Sequence, residues 1–377
     1  MRYVLLSAIL LAMVPSSGAG QGKNKPAQSP DDEIPRFTLD FGEPQQTALG
    51  SNPAVMLANT ACRADGTLFI GISDGSPGDP SIRFPSLHSL DPAGQVVRFE
   101  TSHLAGYSDQ SIYWSGKFFA GEHWVVTLVS ATPQNSEDKV APAPVQLALI
   151  YDHKGAFQRA VQLPDGVQIA AIGAYDSGEL LIIGSSANNK LARLLVVDAD
   201  GDIDRELRLF DEDYNLKQHA KEDQLLSGVE QNKAGALTDM DILPYGQDLL
   251  LFPSLTRQPV VEVNEHGIVR VYSLQVPKGF FLSSMLSMSG YTWKIATVSN
   301  HIEPAKSADS GPPQAYALTN GPVFEFDPSS GAVLRRIDTP KDAPGNSLVC
   351  EYDGQYTALT TDPKNGSFEL LKASIPR

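Results

Sequence analysis

No zinc-protease or nucleotide-binding signature interrupts the 377 residues of this chain. It has no His-Glu-x-x-His pair and no phosphate-cradling glycine loop, so the chemistries those motifs perform lack their residues. Positive charge is also scarce. Lys and Arg number 29 against 44 Asp and Glu, a formal net charge of −15 with no basic cluster, which argues against binding a phosphate backbone and for solubility. Long apolar runs are missing too: the one N-terminal run, Tyr3 to Val14, is too short to span a bilayer. Only two cysteines are present, so there is at most one disulfide. The seven histidines are scattered: His88, His123, His153 and His266 fall in strands or short turns, and His103, His219 and His301 in longer connections.

What is there begins with an export pattern. Arg2, the apolar run and then Pro15-Ser16-Ser17-Gly18-Ala19 follow the order of charge, apolar core and small residues in a cleavable signal peptide, expected over residues 1–19. No cysteine follows the core, so no lipid anchor is expected. Residues 20–35 are Lys, Asn, Pro, Gln, Ser and Asp with little apolar content, a composition that cannot bury enough surface to order itself. The expected mature product is a free, secreted or periplasmic monomer with one domain over residues 36–377.

Within that domain a glycine closes a tight turn between two apolar runs six times, at Gly66, Gly121, Gly178, Gly246, Gly290 and Gly354, at intervals of 55, 57, 68, 44 and 64 residues. Such a period, with strand and turn chemistry recurring inside it, is the mark of a β-propeller built from four-stranded blades. The residue three places after each glycine is Phe69, Trp124, Leu181, Leu249, Trp293 or Thr357, five of them large and apolar. A shared offset from the turn puts them in equivalent positions between blades. A second turn follows the third strand, as in Leu90-Asp91-Pro92-Ala93-Gly94 and Val197-Asp198-Ala199-Asp200-Gly201, with Asp or Asn first and Gly supplying positive φ. Blades are expected at about 52–101, 106–163, 166–209, 235–274, 279–339 and 345–377. The last has only three strands, and Arg36 to Phe41 is the candidate to pair with it and close the ring, removing an open edge. The fold class is therefore all-β, a six-bladed propeller closed by its N-terminal strand.

Asp65-Gly66-Thr67-Leu68-Phe69-Ile70, followed by Leu90-Asp91-Pro92-Ala93-Gly94-Gln95-Val96, resembles the repeats of the six-bladed propeller superfamily that includes the TolB-like and NHL-repeat proteins. The likeness covers about residues 36–377. The full NHL consensus is not sustained in the later blades, and nothing matches propeller lactonases closely enough to carry over catalytic positions. Fold likeness does not license a function.

The connections place a site. Turns from first to second and third to fourth strand share one face, here called the turn face, and are short. The remaining connections share the opposite, loop face. Long segments occur there at Ser73 to Leu87, Ser130 to Pro144, Asp211 to Gly235 and Ser299 to Gly321. Insertions gathered on one side of a repeat scaffold mark its working surface. The insert Asp211 to Asn232 has the spacing of a short amphipathic helix. Near the channel mouth on that face the expected binding residues are Asp74, Asp109, Gln168, Asp239, Asp241, His301 and Glu303. Exposed rings such as Phe84, Tyr107 and Tyr316 can stack on sugars or a peptide, or pack beneath loops.

Asp198, Asp200, Asp202, Asp204 and Glu206 look like a calcium loop, but an EF-hand needs Gly sixth and Glu twelfth, where this segment has Gly201 fourth and Leu209 twelfth. They read as a decorated turn. No cofactor or metal is expected. Cys62 and Cys350 each lie four residues before a turn glycine, so both are expected in the same register of neighbouring inner strands with Cβ atoms pointing the same way, which disfavours a bridge. The leading expectation is an exported, non-catalytic propeller binding a protein, peptide or glycan through its loop face. The alternative is a hydrolase or lactonase-like enzyme with an axial acidic site, calcium-dependent in one version.

Overall fold

Twenty-six strands and one 3-10 turn make up the described part of the chain, a computed structural model that describes residues 34–51, 55–74, 86–101, 103–134, 142–186, 192–207, 240–254, 259–289, 291–301, 317–340, 348–362, 364 and 367–376. They form six antiparallel sheets set around an axis, which is a six-bladed β-propeller. Blade one holds β4 (Val55–Cys62), β5 (Leu68–Asp74), β6 (Ser86–Leu90) and β7 (Val96–Phe99), from axis to rim. Blade two holds β8 (Tyr113–Ala120), β9 (Trp124–Ala131), β10 (Val145–Asp152) and β11 (Phe157–Gln162). Blade three holds β12 (Val167–Ala174), β13 (Leu180–Ser186), β14 (Ala192–Val197) and β15 (Ile203–Leu207). Blade four holds β16 (Met240–Tyr245), β17 (Asp248–Pro253), β18 (Val260–Asn264) and β19 (Gly267–Tyr272). Blade five holds β20 (Phe280–Met288), β21 (Trp293–His301), β22 (Ala317–Phe326) and β23 (Val333–Asp338). Blade six supplies β24 (Leu348–Tyr352), β25 (Gln355–Thr361) and β26 (Ser367–Ser374).

Middle strands are apolar on both sides because a neighbouring blade covers each face. Leu180 to Ile183 are buried without a break, as are Val125, Val126, Leu128 and Val129, the continuous run of a fully buried strand. The outer β15 instead alternates charge, and Asp204 and Glu206 pair with Arg205 and Arg193. Phe69, Leu181, Leu249 and Trp293, three residues after their glycines, are all buried, while Trp124 and Thr357 are half-buried. Gly290 lies outside the described residues.

Turn acids serve their own backbone. Asp198 Oδ1 accepts the N–H groups of Asp200, Gly201 and Asp202 at 2.9, 3.0 and 3.0 Å, and Asp91, Asp152, Asn264 and Asp327 do the same work in other blades. The glycine here has a second duty. A Cβ on Gly201 would stand 2.0 Å from Gln162 O, and one on Gly331 1.9 Å from Ser273 O, so these turns press directly on the rim of the preceding blade.

Closure uses the N-terminal segment more finely than one strand. β1 (Arg36–Thr38) lies parallel on β23 of blade five, while β2 (Asp40–Phe41) pairs antiparallel with β26 of blade six. β3 (Gln45–Ser51), which sequence patterning did not reveal, continues along the same edge of β26, so β2 and β3 together supply the fourth strand of blade six.

The cysteine expectation is corrected by the structure. Cys62 and Cys350 form a disulfide, with Cα atoms 5.1 Å apart. Equal distance from a glycine is not equal register, because the two hairpins differ in length. In blade one, Cys62 pairs with Leu68 as the last pair before a five-residue turn. In blade six, Tyr352 pairs with Gln355 across the two residues Asp353 and Gly354, both at positive φ, so Cys350 opposite Thr357 sits two residues back from the strand end. A register irregularity lies beyond it, between Leu348 and Cys350. Counted from their strand ends the two cysteines are therefore not equivalent, and their Cα atoms approach closely enough for a bridge.

Candidate functional site

The inner strands leave a cavity of about 610 Å³ on the axis. Among the described residues it is lined from β4, β8, β12, β16, β17 and β20, mainly by Ala, Met, Phe and Ser, with one cation, Lys117, and one carboxylate, Asp241. Its volume falls within the range of small-molecule sites.

Lys117 reaches the channel because β8 breaks its ladder. Trp114 pairs with Val129 and Phe118 with Thr127, so three residues, Ser115 to Lys117, stand opposite Leu128 alone. Gly116 takes φ +78° at the break, and Ser115 Oγ donates to Leu128 O at 2.9 Å in place of the lost ladder bond. Such bulges re-aim side chains. The displaced Lys117 Nζ donates to Ile169 O at 3.3 Å and, at short range, to Ala170 O. Ala170 is itself the extra residue of an irregularity in β12, between the Ile169 and Ala171 pairs. The same device recurs between blades four and five, where Ser254 Oγ donates at 3.3 Å to the carbonyl of Ser283, the extra residue in β20.

Asp241 is the second residue of β16, opposite Phe252 and near the loop-face end of the channel. It is open to the channel but makes no hydrogen bond to a described residue, and surrounding protein pushes its pKa up while Lys117 pulls it down. Burial lowers the pKa of Lys117 in turn, with Asp241 opposing. They are too far apart for a direct ion pair and close enough to feel each other's charge. Because the raised Asp241 pKa makes the native state hold its proton to higher pH than the unfolded chain, stability falls as pH rises from 3.8 through that raised value. Asp241→Asn is therefore expected to raise the melting temperature at pH 7, and the gain should shrink as pH approaches 3.8. Thermal scans of both proteins across that range check it; a variant less stable at pH 7 contradicts the sign.

Of the other expected residues, Asp109 and Gln168 are placed away from this cavity. Asp109 opens the 3-10 turn Asp109–Ser111 and holds His103 at 3.1 Å, outside the channel lining. Gln168 is exposed on β12 opposite Ser185 and does not line the cavity. Asp74 and His301 end β5 and β21, while Asp239 and Glu303 lie outside the described residues. Tyr107 is packed against blade two, its hydroxyl donating to Gln162 Oε1 at 3.2 Å. Phe84, Tyr316 and the Asp211 to Asn232 insert lie outside the described residues. Sequence reasoning missed Lys117, whose one signal was a glycine inside an apolar strand pattern, the mark of a bulge.

No protein-family model and no curated protein matches this chain. Among solved structures it is similar to a protein of unknown function from Bacteroides caccae, at 12% identity and TM-score 0.38 over 76% of this chain and 82% of that one. It is also similar to the Pan2 WD40 domain of Neurospora crassa, at 10% identity and TM-score 0.36 over 85% and 89%. A third is a puromycin-hydrolysing peptidase of Mycobacterium tuberculosis, at 12% identity and TM-score 0.38 over 91% of this chain and 56% of that one. These are likenesses of architecture, and no activity passes through them.

Proposed function

We propose that this protein is an exported recognition propeller that holds a protein, peptide or glycan partner on its loop face. The observation that carries the reading is the asymmetry of the two faces. On the turn face, hydrogen bonds from Gly66 N to Arg63 O, Gly94 N to Asp91 O, Gly155 N to Asp152 O and Gly178 N to Tyr175 O close each link within one turn. On the loop face, residues 75–85, 132–144, 208–239 and 302–316 separate consecutive strands. A rigid ring that spends its length on one side presents variable surface there. The signal-like N-terminus supports export, and a disulfide belongs to an oxidising compartment.

The experiment is a peptide and glycan array probed with the mature chain and with a variant in which residues 211–232 are replaced by a short Gly-Ser linker. Retained ligands should be lost or weakened roughly tenfold in the variant, and should survive Tyr291→Ser, a change at the 88% exposed residue of the turn face. An array that captures nothing, or capture that depends on Tyr291 and not on the insert, overturns the reading.

A further inference from the structure

We propose that the axial channel binds a small zwitterion, a compact molecule with an ammonium group that Asp241 takes and a carboxylate that Lys117 takes. Two groups of opposite charge face one cavity of about 610 Å³ without touching each other. Their bonding leaves complementary vacancies. Lys117 has three N–H donors, and two of them go to Ile169 O and Ala170 O, which fixes the ammonium against blade three and leaves one donor for the channel. Asp241 is exposed to the channel and accepts no hydrogen bond from any described residue, so its oxygens are open to a ligand's donors.

Lys117, held by the two carbonyls, does not pair with Asp241 directly. A divalent metal takes several oxygen ligands, and among the described residues Asp241 alone offers this cavity a carboxylate. An ammonium, by contrast, is satisfied by one carboxylate and neighbouring hydroxyls, and Ser254, Ser283 and Ser284 line the same cavity. The remaining walls, Phe118, Ile172, Met285 and Met288, give an apolar body something to pack against. Methionines suit a ligand of variable shape because their side chains adapt. A free α-amino acid is the simplest molecule with all three features.

The test uses the mature chain and the common free L-α-amino acids, each at about 10 mM, scored by thermal shift and then by calorimetry. At least one should raise the melting temperature and bind. Its N-acetyl derivative, which lacks the cation, and its amide, which lacks the anion, should each bind roughly tenfold more weakly or not at all. In Asp241→Asn the N-acetyl penalty should vanish while the amide penalty stays, and in Lys117→Met the reverse should hold. A merely structural role for either residue would not sort the two penalties this way. If a variant fails to fold, the two derivatives on the unaltered protein still decide. The proposal is overturned if no amino acid binds, if both derivatives bind as well as the parent, or if ammonium chloride gives the same shift. The loop insert is untouched by these experiments, so the channel and loop-face readings stand or fall separately.

Discussion

A chain that begins at residue 52 is expected to give no folded monomer. Residues 34–51 work as a strap whose two leucines plug two different seams. Leu39 is 2% exposed and packs with Leu286, Val323 and Ile337 of blade five and Tyr356, Leu371 and Ala373 of blade six. Leu49 is 8% exposed and packs with Leu68, Ile70 and Ile72 of blade one and Val349, Leu359 and Phe368 of blade six. Losing each costs about 2–5 kcal/mol by the usual measure of truncating a buried leucine, against a whole-domain stability of about 5–15 kcal/mol. The backbone loss comes on top. Leu39 N donates to Asp338 O at 3.0 Å, Gly42 N to Lys372 O at 2.9 Å and Arg336 N to Pro35 O at 2.9 Å, and β26 would be left as an open edge that recruits other chains. Size-exclusion chromatography and thermal unfolding of the truncated chain check this, with a peptide of residues 34–51 added back to restore the transition. A truncated monomer that melts at the full-length temperature would show that the strap closes nothing.

The strap also shows where the sequence was readable. Arg36 to Phe41 stood out because a strand-like run lay alone between a polar leader and the first blade, and blade six lacked one strand. β3 did not stand out, since Gln45-Gln46-Thr47 breaks the apolar pattern and its partner in β26 is distant in sequence. The blades were legible because their signal is local: a turn residue, a run, and the same offset repeated. The channel was legible only in part. Asp241 follows from counting along an inner strand, but Lys117 sits where β8 departs from strict alternation, and a count of alternating residues cannot follow a bulge. The disulfide failed because counting back from the turn glycines assumes equal hairpins, and these two differ in turn length.

That disulfide sets the second large effect. Replacing both Cys62 and Cys350 by Ala is expected to cost about 5–6 kcal/mol, because the bridge closes a loop with sequence separation 288 and takes that entropy from the unfolded chain. For a domain of this length the melting temperature should fall by about 5–10 °C. A reductant has access from the axial cavity, which Cys62 lines, while Cys350 is buried. A thiol reductant should therefore bring the unaltered protein down to the variant's melting temperature and leave the variant unmoved. Denaturant titration gives the free energy directly, and a loss under about 1 kcal/mol would mean that the strap already confines the ring. The two closures should also couple. Leu49 and Cys350 belong to one buried cluster at the seam of blades six and one, so Leu49→Ala and the double cysteine variant act on shared contacts and their costs should not add. Additive losses within about 0.5 kcal/mol would show the strap and the bridge to be independent latches on the same ring.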